Sequence, residues 1–282
     1  MKTILHHPLF WIAAVLLVGL GLLAASLPRL LNALGLNQPY PGRSFNLDGR
    51  RALIVTTSHD TLGDTGRATG VYASEMTVPY YQFLDANMQV DIASIRGGEI
   101  PIEPVSLRWP LLTPEDRRFL ADGNFQARVK DSLSISQVDF TQYDLVYLAG
   151  GWGAAYDLGT SDVLGQKITA AYAAQSILGS VCHGALGFLR ASDPNGQPLV
   201  QGRRMTAVTD KQVQELGISI TPLHPERELR QAGALYESET AFRDIFASHV
   251  VIDGALVTGQ NQNDGAEVAQ RMMELLEQRR AP

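Results

Sequence analysis

Short apolar runs alternate with helix-compatible segments along most of the chain, and this pattern predicts its secondary structure. Runs of about five apolar residues are typical of strands that are buried on both faces of a sheet. Such runs lie at residues 52–56, 90–95, 144–149, 177–181 and 204–208. Two further runs, 250–252 and 255–258, are joined by Asp253 and Gly254 and predict a β-hairpin.

Helical patterns separate the predicted strands. Pro79 suits the first turn of a helix that extends to residue 87, and Thr113 is a suitable N-cap for a helix at 113–121. The remaining predicted helices lie at residues 161–174, 210–216, 226–232 and 264–279. Strands that alternate with helices indicate a mostly parallel sheet covered on both faces, and therefore an α/β domain over residues 51–282.

An uncharged apolar run from residue 9 to residue 27 precedes this domain. Its length is that of a membrane-spanning helix, and it exceeds the apolar core of most cleaved signal peptides. We therefore interpret residues 1–28 as a membrane anchor rather than a cleaved signal segment. Residues 29–50 contain Pro and Gly without apolar periodicity and are interpreted as a linker.

The orientation of this anchor has two interpretations. Lys2 is the only Lys or Arg ahead of the apolar run, while Arg29, Arg43, Arg50 and Arg51 follow it. Counting these residues places the C-terminal side in the cytoplasm. A short N-terminus headed by lysine is instead typical of a signal anchor, and on this ground we favour a domain on the exported side.

Composition argues against several kinds of function. The formal net charge is -6 and no run of Lys and Arg occurs, which argues against nucleic-acid binding. A single cysteine, Cys182, excludes an internal disulfide and a cysteine-cluster metal site. The turn at 150–153 lacks the Gly-x-Gly-x-x-Gly pattern of dinucleotide-binding folds. We therefore expect neither a dinucleotide cofactor nor a bound metal.

Cys182 stands where a predicted buried strand changes abruptly to a helix-like segment. His183 and Gly184 follow it, and this change from strand to helix is the outline of a nucleophile elbow. A thiol at such a turn points out of the sheet and lies beside the positive end of the next helix, which favours the thiolate. The alternative is that Cys182 is a small buried hydrophobic residue without a chemical role.

Three loops bring different chemical groups to the carboxyl edge of the predicted sheet, where open α/β sheets carry their functional sites. The loop after residue 56 leads to Glu75, a candidate acid or base. The turn at Gly150 and Gly151 offers unobstructed backbone N–H groups to a developing oxyanion. Cys182 is the candidate nucleophile, so together the loops favour a nucleophilic enzyme over a purely structural domain.

The motifs in these loops resemble those of the ThiJ/PfpI superfamily. The resemblance rests on Ala-Gly-Gly-Trp-Gly at 149–153, Val-Cys-His-Gly-Ala at 181–185 and Thr-Gly-Gln-Asn at 258–261. Thr-Gly-Val-Tyr-Ala-Ser-Glu at 69–75, with the following Pro79, is similar to its branch of stress chaperones and glutathione-independent glyoxalases. The similarity extends from about residue 52 to the C-terminus and does not include the anchor.

The resemblance implies a flavodoxin-like three-layer sandwich, often dimeric, in which Glu75 hydrogen-bonds the cysteine and His183 follows it directly. In glyoxalases of this branch the thiolate attacks the aldehyde of methylglyoxal, and a base then moves a proton between two carbons to give lactate. The resemblance implies that Glu75 or His183 is this base and that neither a metal nor glutathione is needed. The expected partner is a small-molecule carbonyl substrate.

The chain departs from the pattern of this branch at two points. Trp152 stands where the branch usually has histidine, so no role in substrate contact or metal binding is carried over to that side chain. The acid that orients the histidine is expected between residues 209 and 215, where Asp210 and Glu215 are both candidates. The spacing of these two carboxylates differs from that of the family.

His224-Pro225-Glu226 resembles the His-Pro-Glu that completes the triad of class I glutamine amidotransferases. We interpret it here as a helix start, with Pro225 in the first position. Two other functions stay open: a membrane-tethered stress chaperone or redox sensor, and an amide or peptide hydrolase with His183 or His224 as general base. Substrate choice is expected to depend on residues 99–140, which we interpret as an insertion over the domain face.

Overall fold

The computed structural model describes residues 8–279, and within that range the chain forms a seven-stranded sheet and a separate two-stranded sheet. The strands are β1 (Arg51–Thr56), β2 (Gln89–Ser94), β3 (Leu133–Ser134), β4 (Leu145–Leu148), β5 (Ile177–Val181), β6 (Arg204–Met205), β7 (Leu235–Tyr236), β8 (Val250–Asp253) and β9 (Leu256–Gly259). The large sheet has the order β3-β2-β1-β4-β5-β9-β8. Its pairs are parallel except β8 with β9, which form the predicted hairpin.

Helices other than the N-terminal one cover both faces of the large sheet and give the predicted mostly parallel α/β fold. The α-helices within the described residues are α1 (Pro8–Ala33), α2 (Ala73–Asp85), α3 (Pro114–Ala121), α4 (Gly123–Lys130), α5 (Ala154–Asp157), α6 (Asp162–Ala173), α7 (Asp210–Glu215), α8 (Pro225–Gln231) and α9 (Gly265–Gln278). Core residues of α2 and α9 pack on one face, and those of α6 and α8 pack on the other. Successive strand side chains point to opposite faces, so Ile54 joins the first core and Leu53 and Val55 join the second.

The predicted helix at Pro79 begins earlier than its sequence indicates. Helix α2 begins at Ala73, and Pro79 is an interior residue that leaves the carbonyl of Glu75 without its usual helical donor. The N-terminus of α2 is capped from a distant segment, because the N–H of Ala73 donates to Oγ of Ser106 at 3.0 Å. The prediction that Pro79 opens the helix was therefore wrong, and Glu75 lies in the first turn of α2.

Two other predicted segments differ in extent from the observed elements. The run at 204–208 forms only the two residues of β6, which pair with β7 rather than with the large sheet. Residues 99–140 contribute two helices, α3 and α4, and the edge strand β3, which pairs with β2. Part of the predicted insertion is therefore integral to the sheet. The N-cap prediction at Thr113 is confirmed by a capping box with Asp116.

Helix α1 contains a stretch, Phe10–Ala33, that is long and apolar enough to cross a membrane. Its mean hydropathy is 2.4 and none of the apolar window is buried against the rest of the chain. The helix continues through Pro28 and ends five residues beyond the predicted boundary at residue 28. Lys2, which entered the orientation argument, lies outside the described residues.

The segment predicted as a linker packs against the domain. Leu36, Phe45 and Leu47 are buried, and the N–H of Leu47 donates to the carbonyl oxygen of Ala86 at the end of α2. These apolar residues are too widely spaced to form a periodic pattern, which is why the sequence indicates a linker there. The segment from residue 34 to residue 47 therefore forms part of the packed structure.

Candidate active site

Cys182 lies at a sharp turn directly after β5. Its backbone φ is +55°, in the left-handed region that only a few per cent of non-glycine residues adopt. The chain then enters a 3-10 helix, Cys182–Phe188, so the predicted change from strand to helix within one residue is confirmed. A non-glycine residue in this conformation is typical of functional sites, where surrounding packing sustains the strain.

The thiol of Cys182 is surrounded by groups from three loops. Its Sγ lies 3.3 Å from Nδ1 of His183 and shares a hydrogen bond with the Glu75 carboxyl. The backbone N–H groups of Gly151 and His183 are near enough to the sulfur to lower the pKa of the thiol. The residue is 6% exposed, so the thiol is almost entirely buried.

The protonation of this thiol differs from the expectation based on the elbow alone. Burial raises the pKa of Cys182 well above its ordinary value, and the neighbouring Glu75 carboxyl raises it further. The N–H groups of Gly151 and His183 lower the pKa, but they do not outweigh burial. The turn was expected to favour the thiolate, but burial has the larger effect and favours the protonated thiol. A base must remove the proton when the nucleophile reacts.

Glu75 extends from the first turn of α2 toward the elbow and is 1% exposed. Its Oε2 accepts a hydrogen bond from the N–H of Gly150 at 3.0 Å. Burial raises the pKa of Glu75 to about 8, against the opposing effects of the hydrogen bonds from Cys182 and Gly150. The nearby Asp264 adds a smaller upward contribution. Near neutral pH the free site therefore contains a protonated carboxyl in contact with a protonated thiol.

Two backbone N–H groups of the glycine turn at 150–153 act on different side chains. The N–H of Gly150 donates to the carboxyl of Glu75, whereas the N–H of Gly151 acts on Cys182 and lowers the pKa of its thiol. Gly151 has a φ of +95°, which a residue with a side chain rarely adopts. The N–H of Gly150 is therefore occupied by the carboxyl, and the N–H groups of Gly151 and His183 are those that act on the thiol.

Gly150→Ala is expected to reduce activity strongly by displacing Glu75. A Cβ at this position would lie 2.6 Å from Oε2 of Glu75 and 2.7 Å from the backbone nitrogen of His183. We expect turnover to fall by about 100-fold or more, since displacements near 1 Å in an active site have effects of this size. Steady-state kinetics beside thermal unfolding measures this effect. Gly123→Ala is the control, because a Cβ there meets open space and its backbone is not in the left-handed region; equal losses in both variants would contradict the prediction.

His183 is fully buried and carries no charge near neutral pH. Burial is the main reason that its pKa is lowered to about 3, and the charge of His224 lowers it further. Its Nδ1 faces the thiol, while Nε2 has no hydrogen-bond partner among the described residues. A neutral imidazole in this position can accept the thiol proton through Nδ1.

Neither predicted orienting acid hydrogen-bonds His183. Oδ1 of Asp210 lies 3.8 Å from Nδ1 of His224, and its backbone N–H donates to Glu226. Oε2 of Glu215 accepts from the backbone N–H of Asp244. The sequence placed both acids on α7 correctly, but the packing of that helix directs them to other partners.

The His-Pro-Glu segment begins helix α8, as interpreted from the sequence. Pro225 is the first residue of α8, and Glu226 accepts hydrogen bonds from Asp210 and Arg230. His224 does not contact the thiol in the described contacts, yet its charge acts on His183. His224 therefore affects the pKa of His183 but does not form a Cys-His-Glu triad with Cys182.

Several buried polar groups near the site were missed by sequence reasoning. The hydroxyls of Tyr72 and Tyr147 are buried and have no hydrogen-bond partner within residues 8–279, and the charge of Glu75 contributes to raising the pKa of both. Burial raises the pKa of Asp264 to about 7. Tyr147 lies in the apolar run of β4. A tyrosine, with its polar hydroxyl, in a fully buried strand was the only feature of the sequence that pointed to this group.

Trp152 and His59 have mainly packing roles in the observed structure. Trp152 is 8% exposed and belongs to the core cluster that includes Cys182. His59 stacks on Tyr156, with 3.9 Å between ring centroids and an angle of 9° between planes. Among residues 8–279, no three His, Cys, Asp or Glu side chains converge as a metal site would require.

Comparisons with known proteins agree with this geometry. The DJ-1/PfpI family model matches residues 67–275. A glutathione-independent glyoxalase from Schizosaccharomyces pombe is 25% identical over 79% of this chain and 94% of its own length. Glyoxalase 3 from Candida albicans is 26% identical over 80% of this chain and 97% of its own length.

Solved structures show the same relationship. The Rapid Encystment Protein of Francisella tularensis has a TM-score of 0.75 and 33% identity, covering 80% of this chain and 99% of its own. Glyoxalase III from Candida albicans has a TM-score of 0.73 and 25% identity, covering 80% and 97%. The seven-stranded sheet, the elbow cysteine and these matches together establish that the chain belongs to the DJ-1/PfpI family.

Proposed function

We propose that this protein is a cysteine-dependent, glutathione-independent glyoxalase that converts methylglyoxal to lactate. The observation that carries the proposal is the contact of one thiol with a buried carboxyl and a neutral imidazole, beside two backbone N–H groups. Relatives at about 25% identity named glutathione-independent glyoxalases support this activity at the level of the family. The reaction class and substrate of this chain are part of the proposal.

The first step joins the sulfur to the aldehyde carbon of the substrate. His183 accepts the thiol proton at Nδ1 as the C–S bond forms, and the N–H groups of Gly151 and His183 stabilise the resulting oxyanion. The proton on His183 then passes to the oxyanion, which gives a hemithioacetal on Cys182. The protein's own thiol thus occupies the position that glutathione would otherwise fill.

Glu75 carries out the proton transfer between the two carbons. As a carboxylate it removes the proton from the carbon bonded to sulfur, which forms an enediolate. The proton of the hydroxyl on that carbon passes to the neighbouring oxygen, and Glu75 returns its own proton to the adjacent carbon. The product is a lactoyl thioester of Cys182. Water hydrolyses this thioester, releasing lactate and restoring the thiol.

The dependence of activity on pH follows from the Glu75 carboxyl. Because its pKa is raised to about 8, most of the free enzyme lacks the required carboxylate at pH 6. We expect kcat/KM to rise about tenfold per pH unit below pH 8 and to level off above it. Initial rates of lactate formation between pH 5.5 and 9.5 measure this profile. A flat profile across this range would contradict the role of Glu75 as base.

The function itself is tested by offering three substrates to the full-length protein in detergent micelles. Methylglyoxal, a glycated amine and glutamine represent the glyoxalase, deglycase and amide-hydrolase possibilities. We expect lactate from methylglyoxal without added glutathione, and little release from the other two. Product from glutamine without lactate from methylglyoxal would replace the proposal with hydrolysis, and alanine variants at His183 and His224 would then identify its general base.

A redox sensor is less well supported by the site. Peroxides react with thiolates, whereas burial and Glu75 keep Cys182 protonated. Peroxide treatment followed by mass spectrometry distinguishes the two functions, since a sensor would form a sulfinate readily. A chaperone role would show as prevention of aggregation that survives Glu75→Gln.

We also propose that α1 anchors the protein in a membrane. The apolar stretch Phe10–Ala33 supports this by length and composition, and so does its lack of burial against the domain. Flotation of the full-length chain with vesicles, before and after carbonate extraction, tests the anchor. Release by carbonate would contradict it.

A further inference from the structure

Helix α1 joins the domain at the edge of the sheet that carries the active site. Strand β9 ends at Gly259 on this carboxyl edge, in register with the end of β5 just before Cys182. A few residues later, Oδ1 of Asn263 accepts a hydrogen bond from the N–H of Asn37 at 2.8 Å. The chain leaving α1 is therefore fixed to the active-site edge rather than to the opposite one.

The residues that follow α1, Gly35 to Asn37, form the junction between α1 and the domain, and two further contacts fix it. Nδ2 of Asn37 donates to the carbonyl oxygen of Leu111 at 3.0 Å. Gly35 packs against the backbone of Phe246, whose carbonyl oxygen lies 2.4 Å from the position that a Cβ on Gly35 would occupy. These contacts leave little freedom for the domain to swing away from the end of α1.

The distance from Arg29 to the end of α1 determines how far the active-site edge of the sheet lies from the hydrocarbon core of a bilayer. Arg29 is the first charged residue after the apolar run, and α1 ends four residues later at Ala33. Four residues add about 6 Å along a helix axis, and the headgroup region on each side of a bilayer is roughly 5–8 Å thick. The part of the domain beside the junction would thus begin at the depth of the headgroups.

Two exposed aromatic side chains lie near the residues that contact the junction. Trp109 is 53% exposed and lies two residues before Leu111, which contacts the junction. Phe242 is 68% exposed and stacks on Phe246, with 4.8 Å between the ring centroids. Large aromatic rings left in water next to a membrane helix are typical of side chains that anchor at an interface.

A positively charged side chain stands next to each of these aromatic residues. Arg108 precedes Trp109 and Arg243 follows Phe242, and both arginines are exposed. Arg243 donates to the carbonyl oxygen of Glu215, which is an uncharged group. Guanidinium groups at this depth are attracted to anionic lipid headgroups, although the protein as a whole is acidic.

We propose that the active-site edge rests on the bilayer surface, with Trp109 and Phe242 inserted among the headgroups and Cys182 facing the membrane. This inference rests on the membrane anchor proposed above and is independent of the catalytic assignment. It identifies a lipid bilayer as the partner of this surface. Carbonyl compounds released at or dissolved in the membrane surface would reach the thiol first.

Quenching of tryptophan fluorescence by lipid tests this orientation. The full-length Trp11→Phe protein is inserted into vesicles of phosphatidylcholine and phosphatidylglycerol, with and without a lipid spin-labelled near its headgroup. Trp152 is buried and adds a background, which the Trp11→Phe/Trp109→Phe protein measures. We expect the Trp109 emission to be quenched strongly by the labelled lipid.

The matched control places the single exposed tryptophan at the opposite edge. Leu84 is 37% exposed near the C-terminal end of α2, and a Leu84→Trp change is made in the Trp11→Phe/Trp109→Phe background. Residue 84 lies eleven residues along α2 from its start at the active-site edge, or about 16 Å. We expect several-fold weaker quenching there.

Each outcome of the quenching experiment is decisive. Stronger quenching at residue 109 than at residue 84 supports the orientation, and equal or reversed quenching overturns it. If the full-length chain does not float with the vesicles, the anchor and the orientation both fail. Lactate formation is measured separately, so that result would leave the glyoxalase proposal to its own assay.

Discussion

Replacing Cys182 with serine or alanine is expected to abolish lactate formation, with a loss of about three orders of magnitude or more in kcat/KM. In the proposed mechanism the sulfur forms the covalent bond to substrate, and the buried hydroxyl of a serine would be far harder to deprotonate than the thiol. His183 at 3.3 Å and the Gly151 N–H would remain in place, so the loss would report the nucleophile alone. A coupled lactate assay with methylglyoxal as substrate measures it.

The control for the cysteine variants comes from the same strand. Ser180→Ala removes a buried hydroxyl two residues before the elbow, and that hydroxyl has no hydrogen-bond partner among the described residues. We expect this variant to keep nearly full activity and a similar thermal unfolding midpoint. Lactate formation that persists in Cys182→Ala would refute the covalent mechanism.

Glu75→Gln is expected to remove activity and, at the same time, to stabilise the protein at alkaline pH. Glutamine has nearly the shape of a protonated glutamate, so it can keep the hydrogen bonds with Gly150 and Cys182 but cannot act as a base. We expect kcat to fall by about 100-fold to 10,000-fold, the range that general base catalysis contributes. Glu103→Gln is the control, because that buried carboxyl is held by Thr69 and Val105.

The gain in stability follows from proton linkage at Glu75. In the unfolded chain this carboxyl ionises near its ordinary pKa of 4.5, whereas in the folded protein it keeps its proton up to about pH 8. The folded state binds more protons in this window, so the free energy of unfolding falls as pH rises from 4.5 to 8. Glutamine removes this dependence, and the difference between the variants grows through the window and levels off above it.

Thermal unfolding of the two proteins at pH 5 and pH 8.5 measures this effect. A shift of this size in a buried carboxyl corresponds to roughly 2–5 kcal/mol, and therefore to an increase of about 5–15 °C in Tm at the higher pH. Near pH 5 the two midpoints should almost coincide. A Glu75→Gln protein that is less stable at pH 8.5 would show that the carboxyl is ionised in the folded state.

Much of the fold follows from local patterns because the strands are apolar along their whole length. Strands β1, β4 and β5 are buried on both faces and bounded by polar loops, which makes them visible in the sequence. The start of α2 is different, because its cap is supplied by Ser106, which lies 33 residues away from Ala73. No local pattern records such a contact, so the prediction from Pro79 failed.

Some features of the candidate site can likewise be predicted from local sequence, and others depend on the folded structure. Glycines, a lone cysteine and a following histidine have local signatures, and the structure brings Glu75, Gly150 and Cys182 together as expected. The protonation of the thiol depends on burial depth, which is a property of the assembled domain. The partners of Asp210 and Glu215 likewise depend on how α7 packs, and sequence spacing does not determine them.

The packed segment between α1 and the sheet also determines what a protease could release. A cut ahead of Gly35 would free a domain that keeps Leu36, Phe45 and Leu47 in its core. A cut behind Leu47 would remove all three and expose the surfaces they cover. A cut at the first position would therefore separate the domain from α1 with its core intact, whereas a cut at the second would couple that separation to a loss of stability.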